Sequence, residues 1–167
     1  MIRTLLCAGL FACVGLGTTS AQARDLVLER FFAGRTVAEG SFSAINGVKR
    51  AFTVDLTGRW NGQALTLVED FRFADGERDR KTWRFVKLAP GSYRGTREDV
   101  RGGTQVRVKG DTATFSYLVD LDPGAGENLV RFHDRMVLRG DGTVLNIAWV
   151  TKYGFPVAMT RVEFRRP

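Results

Sequence analysis

The sequence predicts an all-β fold: a single antiparallel up-and-down β-barrel of about ten strands, with a short helix ahead of the first. Two observations lead there. Nine two-residue turn signals punctuate the chain, at Asn46-Gly47, Asn61-Gly62, Asp75-Gly76, Pro90-Gly91, Gly102-Gly103, Gly110-Asp111, Pro123-Gly124, Asp141-Gly142 and Gly154 ahead of Pro156. Such pairs supply the positive or fixed φ that tight hairpins need, so nine turns imply about ten strands. Segments of alternating apolar and polar residues fill nearly every gap between them, the period of a strand with one face in a core. A meander that long curls and closes, and a closed barrel of this strand number has room for a small ligand.

In chain order, residues 1–23 read as a cleaved export signal. Arg3 gives a short basic start, Leu5 to Leu16 an apolar stretch, and Ala21-Gln22-Ala23 an A-x-A cleavage site. The expected mature domain is therefore 24–167, located in the periplasm. A lipid-anchored form through Cys13 is the weaker reading, because Phe11 fits poorly in a lipobox. Both cysteines, Cys7 and Cys13, fall inside the signal, so the mature domain must be held by its core alone. Next, Asp25 to Gly34 reads as a short capped helix or turn, with Glu29 near capping-box spacing from Asp25 and Gly34 as its stop. Strands are then expected at 35–45, 48–60, 63–74, 80–89, 92–98, 104–109, 112–120, 127–140, 143–153 and 155–166.

Strand parity assigns the faces. Leu65, Leu67, Glu69, Phe71 and Phe73 share one; so do Phe52, Val54, Leu56 and Trp60, with Arg50 at the same parity. Phe115, Tyr117 and Val119 form another, as do Val130, Phe132, Asp134, Met136 and Leu138. The strand at 143–153 is apolar on both faces, which calls for a cover on its outside, either the N-terminal helix or a partner. Glu69 and Asp134 stand out because each interrupts an apolar, inward face, and a buried carboxylate is costly unless paired or hydrogen-bonded. Arg50, Arg84, Lys152 and Arg161 are the candidate partners. Three roles are open: an ion-pair network that sets register, a polar anchor in a ligand cavity, or an acid/base pair with separated pKa values.

Chemistry is otherwise sparse. His133 is the only histidine and lies on the face opposite Asp134, so neither a Cys-His nucleophile nor a multi-His zinc site can be assembled from the mature chain. There is no Gly-x-Ser-x-Gly elbow, phosphate loop or dinucleotide fingerprint, and Asp120-x-Asp122 reads as a hairpin tip rather than a calcium loop. No cofactor and no metal are expected. The formal charge of +7 becomes +6 (24 minus 18) once Arg3 is removed. That balance favours peripheral contact with an anionic membrane surface. Nucleic acid does not fit, because the basic residues are interleaved with acids rather than gathered into a stripe.

One set of short motifs runs the length of the mature chain: Leu28-Glu29-Arg30-Phe31-Phe32-Ala33-Gly34, Gly40-Ser41-Phe42, Arg50-Ala51-Phe52, Gly58-Arg59-Trp60, Leu67-Val68-Glu69-Asp70-Phe71 with Asp75-Gly76, Arg80-Lys81-Thr82-Trp83, Tyr93-Arg94-Gly95 with Asp99-Val100, Asp134-Arg135-Met136, Asn146 and Lys152-Tyr153-Gly154. In order and spacing it resembles the bacterial envelope family known as domain of unknown function 3833. The resemblance implies a lipocalin-like barrel, an envelope location and a lipid-related role, and transfers no catalytic residues. The chain departs from it in lacking a good lipobox and in having Arg135 where a Trp is expected.

The expected function is binding or carriage of an apolar or amphipathic small molecule such as a fatty acyl lipid. Trp60, Phe71, Phe73, Phe115, Phe132 and Trp149 would line the wall, and Glu69 or Asp134, with a cation from Arg50, Arg84 or Lys152, would orient the polar end. The alternatives are a lipid-modifying isomerase or lyase using Glu69 and Asp134, and a filled barrel serving as an envelope interaction module.

Overall fold

A computed structural model describes residues 25–122 and 128–167; the predicted signal and the Pro123-Gly124 turn lie outside this range. A five-residue helix, α1 (Leu28–Phe32), leads into β1 (Gly34–Ala44), β2 (Lys49–Trp60), β3 (Ala64–Phe73), β4 (Arg78–Ala89), β5 (Ser92–Thr96), β6 (Val100–Arg101), β7 (Thr104–Lys109), β8 (Thr112–Asp120), β9 (Leu129–Leu138), β10 (Val144–Lys152) and β11 (Phe155–Arg165). Neighbours in sequence pair antiparallel around the ring, β8 pairs with β9, and β1 zips onto β11 from Val37↔Arg165 to Ala44↔Ala158. The result is a closed antiparallel barrel of ten strands with one extra strand. That extra strand, β6, borders the far half of β8 through Val100↔Val119 and Arg101↔Leu118. Two residues between turns leave no alternation to read, which is why the sequence does not announce it.

Turn chemistry sets the hairpins. Gly47 and Gly62 sit at φ 88° and 92°, as the Asn-Gly pairs require. The helix differs from expectation at its start: Val27, not Asp25, occupies the N-cap position, with no side-chain hydrogen bond there. Packing holds α1 instead. Leu26, Leu28, Phe31 and Phe32 are buried at the end of the barrel where β2 finishes and β3 begins. Gly58 makes this fit, since a Cβ there would stand 1.8 Å from the Phe32 carbonyl oxygen. Glu29 fastens the helix to the wall, accepting from Lys87 Nζ at 2.5 Å and from the Tyr93 hydroxyl at 2.7 Å.

The helix therefore plugs one end of the barrel. Around it Leu56, Leu65, Tyr93, Val106 and Val144 are almost fully buried. Towards the other end the inward aromatics Phe52, Phe71, Phe73 and Phe132 are only half-buried, so that end is open. The turns at 45–48, 74–77, 97–103 and 153–154 form its rim.

Candidate ligand-binding site

Between plug and mouth lies a cavity of about 230 Å³. Leu28 and Phe32 form its floor, and the aromatics Phe52, Phe71, Phe73, Trp83, Phe85, Phe115, Tyr117 and Phe132 run round its wall. The aromatics are in mutual contact. Tyr117 stacks on Phe132 at 5.3 Å between centroids and 3° between planes, and Trp83 stacks on Phe85 at 5.1 Å. Strand periodicity builds this wall, because every second residue of β3, β8 and β9 points inward.

A polar group interrupts the wall on neighbouring strands. Asp134 on β9 and Asn146 on β10 are buried, and Asn146 Nδ2 donates to Asp134 Oδ1 at 2.6 Å. Asp134 Oδ2 and Asn146 Oδ1 have no hydrogen-bond partner. The Tyr117 hydroxyl approaches the same carboxylate and is electrostatically coupled to it. Glu69 on β3 is 8% exposed and has no cation within ion-pairing distance among the described residues. The cation of the site is Arg97, which lies over Trp83 at 4.8 Å and over Tyr117 at 5.5 Å and pairs with Asp99 through Nε–Oδ1 at 2.6 Å and Nη2–Oδ2 at 3.1 Å.

These surroundings shift the titrations. Burial, the largest cause, pushes Glu69 up to about 7; Arg97 pulls it down, and Asp134 pushes it up further. Burial also raises Asp134 to about 6, against the Asn146 hydrogen bond, the Arg97 charge and the Tyr117 hydroxyl. Tyr117 is raised well above the ordinary phenol, by burial first and by Asp134 next. Both carboxyls are thus held above the ordinary carboxylate range, burial being the largest cause for each.

Of the residues expected at a site, Glu69, Asp134, Phe71, Phe73, Phe115 and Phe132 line this cavity. The others lie elsewhere. Arg50 sits at the rim over the Phe73 ring, bound to Asp75 at 2.8 Å and Glu77 at 2.6 Å. Lys152 donates to Asn128 Oδ1 at 2.8 Å, also near the mouth. Arg84 is exposed on the outside of β4, and Arg161 on the outside of β11, 3.5 Å from Glu163. None of these four pairs with Glu69 or Asp134, so the expected inward ion-pair network is replaced by the Asn146 bond and the Arg97 charge. Trp60 packs half-buried against the core at the plugged end, away from the cavity. Trp149 is 55% exposed, because β10 turns Val144, Asn146, Ala148 and Val150 inward and Leu145, Ile147 and Trp149 outward. The helix does not cover that outer row, as its neighbours are β2 and β3.

Arg97 and Asn146 were missed as site residues, and each had a signal. Arg97 shares its parity with the inward Tyr93 in the expected strand 92–98, and Asn146 shares its parity with Val144, Ala148 and Val150. Among the described residues no group of three or more His, Cys, Asp or Glu is placed to hold a metal ion.

Fold and cavity together define a lipocalin-like barrel with one end plugged and an aromatic-rich pocket reached from the other. The chain belongs to the family described as protein of unknown function (DUF3833), whose model matches residues 7–166. No curated protein sequence matches it. Among solved structures it is similar to the S-type phycobiliprotein lyase CPES from Guillardia theta, with a TM-score of 0.59 and 11% identity over 85% of this chain and 93% of that one. It is also similar to a protein of unknown function from the DUF3598 family of Nostoc punctiforme, with a TM-score of 0.55 and 14% identity over 91% of this chain and 53% of that one. At these identities the likeness is one of fold.

Proposed function

We propose that this protein is an exported, periplasmic barrel that binds or carries an apolar or amphipathic small molecule, with a fatty acyl lipid as the leading class. The observation that carries the reading is the cavity itself: an aromatic hollow with a few convergent polar groups, open at one end. At about 230 Å³ it is smaller than the roughly 300–1,000 Å³ of drug-sized pockets, which suits a slender ligand or one that protrudes through the mouth. Mass spectrometry of protein purified from its native envelope should find a retained small molecule, and acyl ligands should raise the melting temperature of the stripped protein. A ligand at 100 times its Kd contributes about 2.7 kcal/mol. If nothing is retained and no acyl ligand stabilises the stripped protein, the reading fails.

Contact of the mouth with an anionic membrane surface belongs to the same proposal. Ile45 and Val48, Tyr153 and Phe155, and Leu121 are exposed on neighbouring rim turns, 79%, 45%, 87%, 74% and 57% respectively. Ile45 donates its backbone N–H to Val157 O at 3.0 Å, so two of these turns adjoin. Tyr153 holds φ 51°, a conformation disfavoured for an aromatic residue. Lys49 and Lys152 flank the patch, supplying charge suited to anionic headgroups.

A second reading, an isomerase or lyase acting on the bound molecule, draws on the two raised carboxyls. Protonated Glu69 would act as acid and Asp134 as base. Loss of turnover in Glu69→Gln with ligand binding retained would favour it.

A further inference from the structure

We infer that the polar group this cavity receives is a hydrogen-bond donor, an amine or amide N–H on an apolar body, held by Asp134, Asn146 and Glu69. The inference rests on the ligand-binding reading and names the chemistry of the ligand. A carboxylate head is the wrong complement.

The first reason is the identity of the open atoms. Asp134 and Asn146 line the cavity; Asp134 Oδ2 and Asn146 Oδ1 are buried and complete no hydrogen bond, with the Tyr117 hydroxyl the donor that approaches the carboxylate. Both oxygens are acceptors. The orientation of the Asn146 amide follows from its neighbour, since an ionised Asp134 Oδ1 can accept only from the NH₂, which turns Oδ1 away from it. A buried acceptor left unsatisfied is destabilising, so the site is at its most favourable when a donor fills it. Glu69, 8% exposed and without an ion-pair partner among the described residues, adds a third acceptor from the strand β3.

The second reason is charge. The cations that face the cavity already have their own acids. Arg97 pairs with Asp99, and Lys81 lies 3.2 Å from Asp79 and 3.4 Å from Asp99. The lining thus holds Glu69, Asp79 and Asp134 against Lys81 and Arg97, three acids to two bases, and both bases are already engaged by Asp99. An incoming carboxylate would displace one of those pairs and face two unpaired carboxyls. A donor meets them directly, and the aromatic wall takes its apolar body.

Decylamine, decanamide, decanoate and decane are suitable probes for the stripped protein, with affinity read by calorimetry and melting temperature at pH 8. Charge-assisted hydrogen bonds to a carboxylate should favour decylamine over decanoate by about tenfold or more. Decanamide binding as well as decylamine would place the preference in the neutral N–H, and decylamine alone exceeding decanoate would place it in the cation; either result supports the inference. In Asp134→Asn the outward atom becomes an NH₂, and the preference should shrink at least about fivefold. Glu69→Gln serves as a second variant should Asp134→Asn fail to fold, and it too should narrow the preference. Decanoate equalling or exceeding decylamine overturns the donor inference and leaves the binding reading standing. If none of the four probes binds, decane included, the binding reading falls and the inference falls with it.

Discussion

Replacing Glu69 by glutamine preserves the shape of the side chain and removes its titration. In the folded protein this carboxyl is raised from 4.5 to about 7, chiefly by burial. Each unit is worth about 1.4 kcal/mol, so full ionisation of the buried group costs roughly 3 kcal/mol relative to the unfolded chain. The sign follows from the direction. Because the folded pKa lies above the unfolded one, the contribution is fully present below about pH 4.5, falls as pH rises, and is lost above about 7. Wild type and Glu69→Gln should therefore be similarly stable near pH 4.5, and the variant should be the more stable near pH 8, by about 1–3 kcal/mol after allowing for relaxation and coupling to Asp134. Urea unfolding at half-unit steps from pH 4.5 to 8.5 measures the difference. A gap that stays flat with pH, or a variant that loses stability as pH rises, would refute the assignment of Glu69 as an unpaired buried acid. The second outcome would mean that Glu69 is ion-paired after all.

Other consequences can be measured directly. In Gly58→Ala the new methyl would collide with the Phe32 carbonyl oxygen, so the plug must shift; a loss of about 1–3 kcal/mol and faster amide exchange at Phe31 and Phe32 are expected. Tyr93→Phe removes one of the two donors to Glu29 and should cost about 1–2 kcal/mol in urea unfolding, with the helix still held through Lys87. Serine at both Tyr153 and Phe155 should weaken co-sedimentation with anionic phospholipid vesicles while changing stability by less than about 0.5 kcal/mol, since both side chains are exposed.

Period-two alternation and turn pairs located the strands, because both are properties of consecutive residues. Inward placement of Leu67, Glu69, Phe71, Phe73, Phe115, Phe132 and Asp134 follows from the same local arithmetic. What alternation cannot decide is which face is inner when both are apolar. In β10 the smaller Val144, Ala148 and Val150 turned inward and Trp149 went out, because only the ring geometry limits what fits beside β9 and β11. Partner choice is similarly non-local. Arg50 and Lys152 have suitable parity or flanks, yet rim neighbours Glu77 and Asn128 claim them. Arg97 keeps the inward parity of Tyr93 but lies one residue past the end of β5, in the connection to β6, and that parity alone does not tell an inward arginine from one on a turn.

Closure of the ring has a consequence for biosynthesis. β1 and β11 meet at Val37↔Arg165, a separation of 128 residues (165 minus 37), so the contact that completes the barrel forms only once β11 has been made. Hairpins from β1 through β10 can assemble in sequence, but until β11 arrives both β1 and β10 present open hydrogen-bonding edges. Long-range pairing of this kind slows folding relative to local contacts. A nascent chain that has yet to receive β11 is therefore held in an unsealed, threadable form, and a stop codon ahead of β11 would leave an edge-exposed sheet in place of a barrel.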